Sequence, residues 1–119
     1  MPVSPSFRGF VLEQLKRTVA GVRARSMFGG VGIYAGDVFF ALIANDTVYF
    51  KVDDSSRPDF EARGMEPFRP YGDVRGTMQY YQVPEELLED PEALAPWVEQ
   101  AIGVARRAKG RHPRRGRKN

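Results

Sequence analysis

Two turn dipeptides set between three apolar segments constrain this chain more than any other feature. GVGIYAG, DVFFALIAN and DTVYFKVDD are rich in β-branched and aromatic residues, and they join at Gly36-Asp37 and Asn45-Asp46. Such pairs accept the backbone of two-residue hairpin turns, so the stretch predicts a three-stranded antiparallel meander. In the third segment Val48, Phe50 and Val52 alternate with Tyr49 and Lys51. One face is apolar and the other more polar, as in a sheet covered on one side only.

Helical signals bracket the meander. Ser4 and Pro5 are a cap and a first-turn proline, and Phe7, Val11, Leu15, Val19 and Val22 recur at helical spacing, which predicts a first helix to about Val19. After the third strand, Asp53, Asp54 and Ser55 offer a helix start, RPDFEAR a short helix, and Gly64 a left-handed stop. Pro67, Pro70 and Gly72 then interrupt the chain until GTMQYYQVP, where a strand is expected over Met78 to Val83, with a short partner at Phe68 to Tyr71. Leu94, Trp97, Val98, Ala101, Ile102 and Ala105 form the stripe of a last helix, which places Trp97 in the core. Asp90 and Pro91 are a candidate cap, but Pro96 in an interior turn would lose a hydrogen bond, so the regular helix is expected from about Ala95. The order is α-β-β-β-α-β(-β)-α, an α+β fold, and 119 residues make one domain.

The stretch RSMFGGVGIYAGD raises the question of a bound phosphate. Gly30-Val-Gly32-Ile-Tyr-Ala35 formally matches the dinucleotide pattern G-x-G-x-x-[GA]. That pattern needs a preceding strand and a following helix whose amides face the pyrophosphate, whereas an extended aromatic segment and a hairpin turn follow here. No Gly-Lys-Ser or Gly-Lys-Thr occurs in the chain. The glycines therefore predict a bulge, a sharp twist or a close backbone approach in a sheet, and no cofactor is expected.

Catalytic chemistry finds few candidates. The chain has no cysteine and one histidine, His112, beside Pro113 in a basic segment where nothing fixes its geometry. Asp53 and Asp54 are explained by the helix start, and Glu85, Glu86, Glu89, Asp90 and Glu92 by a solvated, dipole-favoured helix entry. Tyr34, Phe39, Phe40, Tyr49, Phe50, Tyr80 and Tyr81 invite comparison with an aromatic platform for RNA bases. Alternation sends one of each adjacent pair into the core, and the K/R-G-F/Y-G/A-F pattern is absent, so core packing is the stronger expectation.

Charge divides the chain in two. Residues 1–104 hold ten cations against fifteen carboxylates, net −5, whereas residues 105–119 hold eight cations and no carboxylate, net +8. The cations of that segment are Arg106, Arg107, Lys109, Arg111, Arg114, Arg115, Arg117 and Lys118. With glycines and a proline between them they cannot pack a core, and they are the candidate contacts to DNA or RNA, reading phosphate without base sequence. The start MPVSPSFRGF lacks the basic region and apolar run of a signal peptide, and no span reaches membrane length, so a cytoplasmic protein without a membrane partner is expected.

RSMFGGVGIYAGDVFFALIANDTVYFKVDD, then FRPYG, then MQYYQVPEELLEDPEALAPWVEQAI together resemble the N-terminal domain of the TfoX/Sxy competence regulators, over about residues 7 to 108. The resemblance implies an α/β sandwich with a mainly antiparallel sheet and flanking helices, similar in layout to type III secretion chaperones, and no known catalytic activity. The larger regulators carry a second, helical domain and are linked to activation of DNA-uptake genes with a cyclic-AMP-dependent activator; here RRAKGRHPRRGRKN follows instead. The expectation is a domain over 1–108 with a disordered basic tail over 109–119. Its role is a non-enzymatic regulatory or protein-interaction domain with a protein partner in the transcription machinery. The alternative is a nonspecific nucleic-acid-binding accessory protein acting through the tail.

Overall fold

The computed structural model describes residues 3–27, 29–69 and 79–111. Helix α1 (Pro5–Lys16) starts where the sequence indicates: the Ser4 hydroxyl accepts from the Phe7 amide at 3.3 Å, and Pro5 occupies the first turn. It buries Val11 and Leu15 and stops at Lys16, a turn short of Val19. Val22 is not helical. It opens β1 (Val22–Met27), and β2 (Gly30–Ala35), β3 (Val38–Ala44) and β4 (Thr47–Lys51) follow, so the meander has four strands and not three. Asn45 and Asp46, both near φ +55, form the β3–β4 turn that their residue types announce.

Downstream of α2 (Arg57–Glu61), the strand expected over Met78 to Val83 shrinks to β5 (Tyr80–Gln82), with Met78 outside the described residues. Its partner lies slightly earlier than expected: the Phe68 amide donates to the Tyr80 carbonyl at 2.8 Å and the Gln82 amide to the Glu66 carbonyl at 2.9 Å. Pro70 and Tyr71 lie outside the described residues. A one-turn helix, α3 (Glu85–Leu88), precedes α4 (Pro91–Arg111).

Pro96 does not delay α4. The Asp90 carbonyl accepts from the Leu94 amide at 2.9 Å, its carboxylate accepts from Ala93 at 3.3 Å, and Pro91 sits at the first position. The bond that Pro96 cannot make would end on the Glu92 carbonyl, and both residues are exposed, so the loss costs less than it would in a buried turn. The helix also continues past residue 108, the boundary expected for the tail, and Arg106, Arg107 and Lys109 lie on its last turns. Residues 112–119, where the disordered tail was expected, lie outside the described residues.

The five strands form one antiparallel sheet in the order β1-β2-β3-β4-β5. Helix α4 crosses β3 and β4, and α1 packs on β1 and α4. Ile33, Phe40, Ile43, Val48 and Phe50 meet Val11, Leu15, Leu94 and Val98 in one core between helices and sheet. Phe40 enters that core at a bulge: Ile33 pairs with Ala41, but Tyr34 pairs with Phe39, leaving Phe40 as the extra residue. Trp97 is only half-buried, its ring edge-on to Phe60 at 5.0 Å and its face under Arg63 at 5.2 Å. Among the described residues no helix is long and apolar enough to cross a membrane.

Candidate interaction surface

The glycine stretch builds a hairpin. Met27 faces Gly30 across a two-residue connection in which Gly29 takes φ +80°, and an extended strand follows, so no helix N-terminus is presented to a phosphate. A Cβ on Gly30 would stand 2.7 Å from the Ile43 carbonyl oxygen, so glycine here is a matter of backbone approach in the centre of the sheet.

Strand alternation sends the remaining side chains to the face that no described helix covers. A row runs across it from β1 to β5. Arg23 lies over the Tyr34 ring at 4.9 Å, Tyr34 stacks on Phe39 at 5.1 Å, and Phe39 meets Tyr80 at 5.9 Å. Lys51 caps Tyr80 at 5.0 Å, and beside this row Tyr49 packs on Phe68 at 4.9 Å. Burial pushes the Tyr80 phenol up to about 12, raises Tyr49, and lowers the Lys51 ammonium. Both phenols are therefore neutral near pH 7. Arg25 and Met27 extend the face along β1.

The aromatic residues divide as alternation requires: Phe40, Phe50 and Tyr81 join the main core, whereas Tyr34, Phe39 and Tyr49 lie half-buried on the opposite face and Tyr80 is buried there with Phe68 and Ala44 in a second, smaller core. Base stacking needs a free ring face, and Tyr34 has none to offer. Its neighbours on the two flanking strands, Arg23 and Phe39, hold it from either side. None of the five strands contains an aspartate or glutamate, so the cations of this face stand without carboxylates in the sheet itself.

The residues singled out as phosphate contacts are dispersed. Arg107 Nη2 lies 3.0 Å from Asp53 Oδ2, and Lys109 Nζ lies 3.1 Å from Asp37 Oδ2 and 3.2 Å from the Asp37 carbonyl. Arg106 is exposed, Arg111 ends α4, and Arg114, Arg115, Arg117 and Lys118 lie outside the described residues, as does His112. Two of the cations thus latch the end of α4 to the β2–β3 turn and to the segment after β4. Asp53 is the busier partner. The Ser55 hydroxyl at 2.6 Å, Arg107 and the Ser55 and Ser56 amides hold its carboxyl well below the usual range. Asp54 pairs with Arg57 at 2.6 Å, so both carboxylates serve the entry to α2. In the acidic run, Glu85 and Glu86 occupy the first turn of α3 and Asp90 caps α4.

Sequence reasoning missed β1, and with it Arg23 and Arg25. The alternation of Val22 and Ala24 with the two arginines was the available signal, obscured because Val22 also continues the helical spacing of α1.

Residues 13–105 match the TfoX N-terminal domain family, a span that takes in every described strand and the apolar stripe of α4. The protein is also similar to the DNA transformation protein TfoX1 of Aliivibrio fischeri, with 31% identity over 83 residues, 69% of this chain and 40% of that protein. The chain thus spans well under half the length of that relative. With a match that covers most of its length, the chain belongs to the TfoX N-terminal domain family.

Proposed function

We propose that this domain is a non-enzymatic regulator that binds a protein of the transcription apparatus through the side of its sheet that no described helix covers, in the control of genes for DNA uptake. The observation that carries this is a face bearing Arg23, Arg25 and Lys51 among aromatic rings, on strands without a single carboxylate. Aromatic and arginine side chains grouped in this way are the residue types that dominate protein interfaces. The link to DNA uptake comes from the similar protein of Aliivibrio fischeri, whose name describes DNA transformation. A base platform is less well supported because Tyr34 is flanked on both sides. Tail-driven phosphate binding is weakened by the engagement of Arg107 and Lys109 with Asp53 and Asp37.

Transcript profiling in the native host tests the proposal, comparing wild type, a deletion and an Arg23→Glu/Arg25→Glu strain at equal protein level. The deletion should alter a defined gene set and the double variant should reproduce the change. A deletion without effect on transcripts overturns the regulatory role; a double variant with the wild-type profile overturns the assignment of the surface.

A further inference from the structure

The sheet has one edge that nothing in the described chain closes. At the β5 side, Glu66 and Phe68 supply backbone partners. At the other side, among the described residues, β1 pairs only with β2. The Gly36 amide donates to the Gly21 carbonyl at 3.1 Å, and the β1–β2 register keeps Gly21, Arg23, Arg25 and Met27 in step as the hydrogen-bonded positions. The amides and carbonyls of Val22, Ala24 and Ser26 therefore point away from β2. Among the described residues no backbone group bonds to them.

From this edge and its charge we infer that β1 accepts an extended segment of a partner protein as a sixth strand, and that this segment alternates acidic with small apolar residues. The inference rests on the protein-binding function proposed above and specifies how the partner is held. Backbone bonding to Val22, Ala24 and Ser26 supplies the attachment. Charge selects the occupant: Arg23 and Arg25 project from one face of β1, so carboxylates at every second position of an added strand become their cross-strand neighbours. On the other face Val22 and Ala24 pack toward the core beside α1, whose Arg8 donates to the Ser26 hydroxyl at 3.2 Å, so the added strand is expected to carry small apolar side chains on that side.

The same charges exclude the other occupants. A second copy paired edge to edge would bring Arg23 and Arg25 of each β1 against those of the other, and like charges directly opposite are unfavourable. The chain's own residues 112–119 carry no aspartate or glutamate, so they offer no charge complement to Arg23 and Arg25. Nucleic acid would satisfy the arginines but has no use for a row of outward amides in strand register.

The test uses the full chain, labelled with ¹⁵N, and a capped eight-residue peptide alternating glutamate with valine. Saturable binding should raise hydrogen-exchange protection at the Val22, Ala24 and Ser26 amides by a larger factor than at Arg23 and Arg25, whose amides are already bonded to β2. Replacing the peptide's glutamates by glutamine should weaken binding, and replacing them by lysine should abolish it. Arg23→Glu/Arg25→Glu should weaken the acidic peptide at least about tenfold. Ser26→Pro, which removes one outward amide at an exposed position, should weaken both the glutamate and the glutamine peptide. Should a variant fail to fold, the wild-type protection pattern decides alone. Absence of protection at those three amides overturns the inference, as does equal affinity for the glutamate and lysine peptides. Concentration-dependent protection without peptide, which marks a second copy as the occupant, or the same protection with oligothymidylate, also overturns it. If the peptide fails while the double variant still loses its transcript effect in cells, strand addition is wrong and the proposed surface stands. If both fail, the surface falls as well.

Discussion

One substitution made at two glycines should move stability in opposite directions. Gly30→Ala places a Cβ 2.7 Å from the Ile43 carbonyl oxygen, with the Met27 carbonyl a further 1 Å away at 3.7 Å. Carbon and oxygen normally meet no closer than about 3.3 Å, so β2 and β3 must part by roughly half an ångström. The strain falls where Val31 pairs with Ile43, on two inner strands that cannot move independently. Overpacking of this kind costs about 1–3 kcal/mol against a total stability of about 5–15 kcal/mol. At about 4 °C per kcal/mol for a chain of this length, the melting temperature should drop by roughly 4–12 °C. Gly9 lies in α1 with nothing within 4 Å of a built Cβ, so Gly9→Ala should instead stabilise by about 0.5–1 kcal/mol through helix propensity. Thermal and urea unfolding followed by circular dichroism would measure both, with an unchanged urea slope confirming a common mechanism. A Gly30→Ala protein as stable as wild type, or a destabilised Gly9→Ala, would refute the reasoning.

Trp97 is the only tryptophan, so its emission reports one site: a half-buried ring should be partly quenched by acrylamide, and Trp97→Ala should cost about 2 kcal/mol, below the ~3–5 kcal/mol of an enclosed ring. The lowered carboxyls of Asp53 and Asp37 favour the folded state above the ordinary carboxylate range and lose that contribution as pH falls through their depressed values. Asp53→Asn should therefore flatten the acid limb of the stability curve; an unchanged acid midpoint would refute the role of its hydrogen bonds. Ending the chain after Ala105 removes both latches of α4 and should lower the melting temperature, whereas ending it after Arg111 should not. Neither ATP nor NAD should shift the wild-type melt, because the glycine stretch is a hairpin.

The elements that could be read from sequence are those in which local chemistry and tertiary packing agree. Ser4-Pro5, Asn45-Asp46 and Gly64 mark chain reversals or helix ends that their own conformational preferences enforce. β1 illustrates the opposite case. VRARSM has weak strand propensity and becomes a strand because β2 offers it a complete ladder, a tertiary effect that no local window contains. Pro96 misled for a related reason: its penalty depends on whether the orphaned carbonyl reaches water, which only the orientation of α4 decides. The basic segment reads as one unit along the chain, yet Arg107 meets Asp53 54 residues away and Lys109 meets Asp37 72 residues away. The aromatic face was half legible, since alternation divided the rings correctly, but which strands stood side by side had to come from the fold.

The spatial order of the strands repeats their order in the chain, and this has a consequence for how the domain forms. Three connections, at 28–29, 36–37 and 45–46, are two residues long, so the first four strands can zip from neighbouring hairpins with little loop-closure entropy. β5 must instead wait for the 28 residues between Lys51 and Tyr80 to be gathered in. Contacts of the meander should therefore be made at the folding barrier and those of β5 after it. Ile33→Val should mainly slow refolding and Val83→Ala mainly speed unfolding in a chevron analysis. If β1 accepts a foreign strand, that strand is added to the part of the sheet that assembles early, and partner binding can begin before β5 has joined.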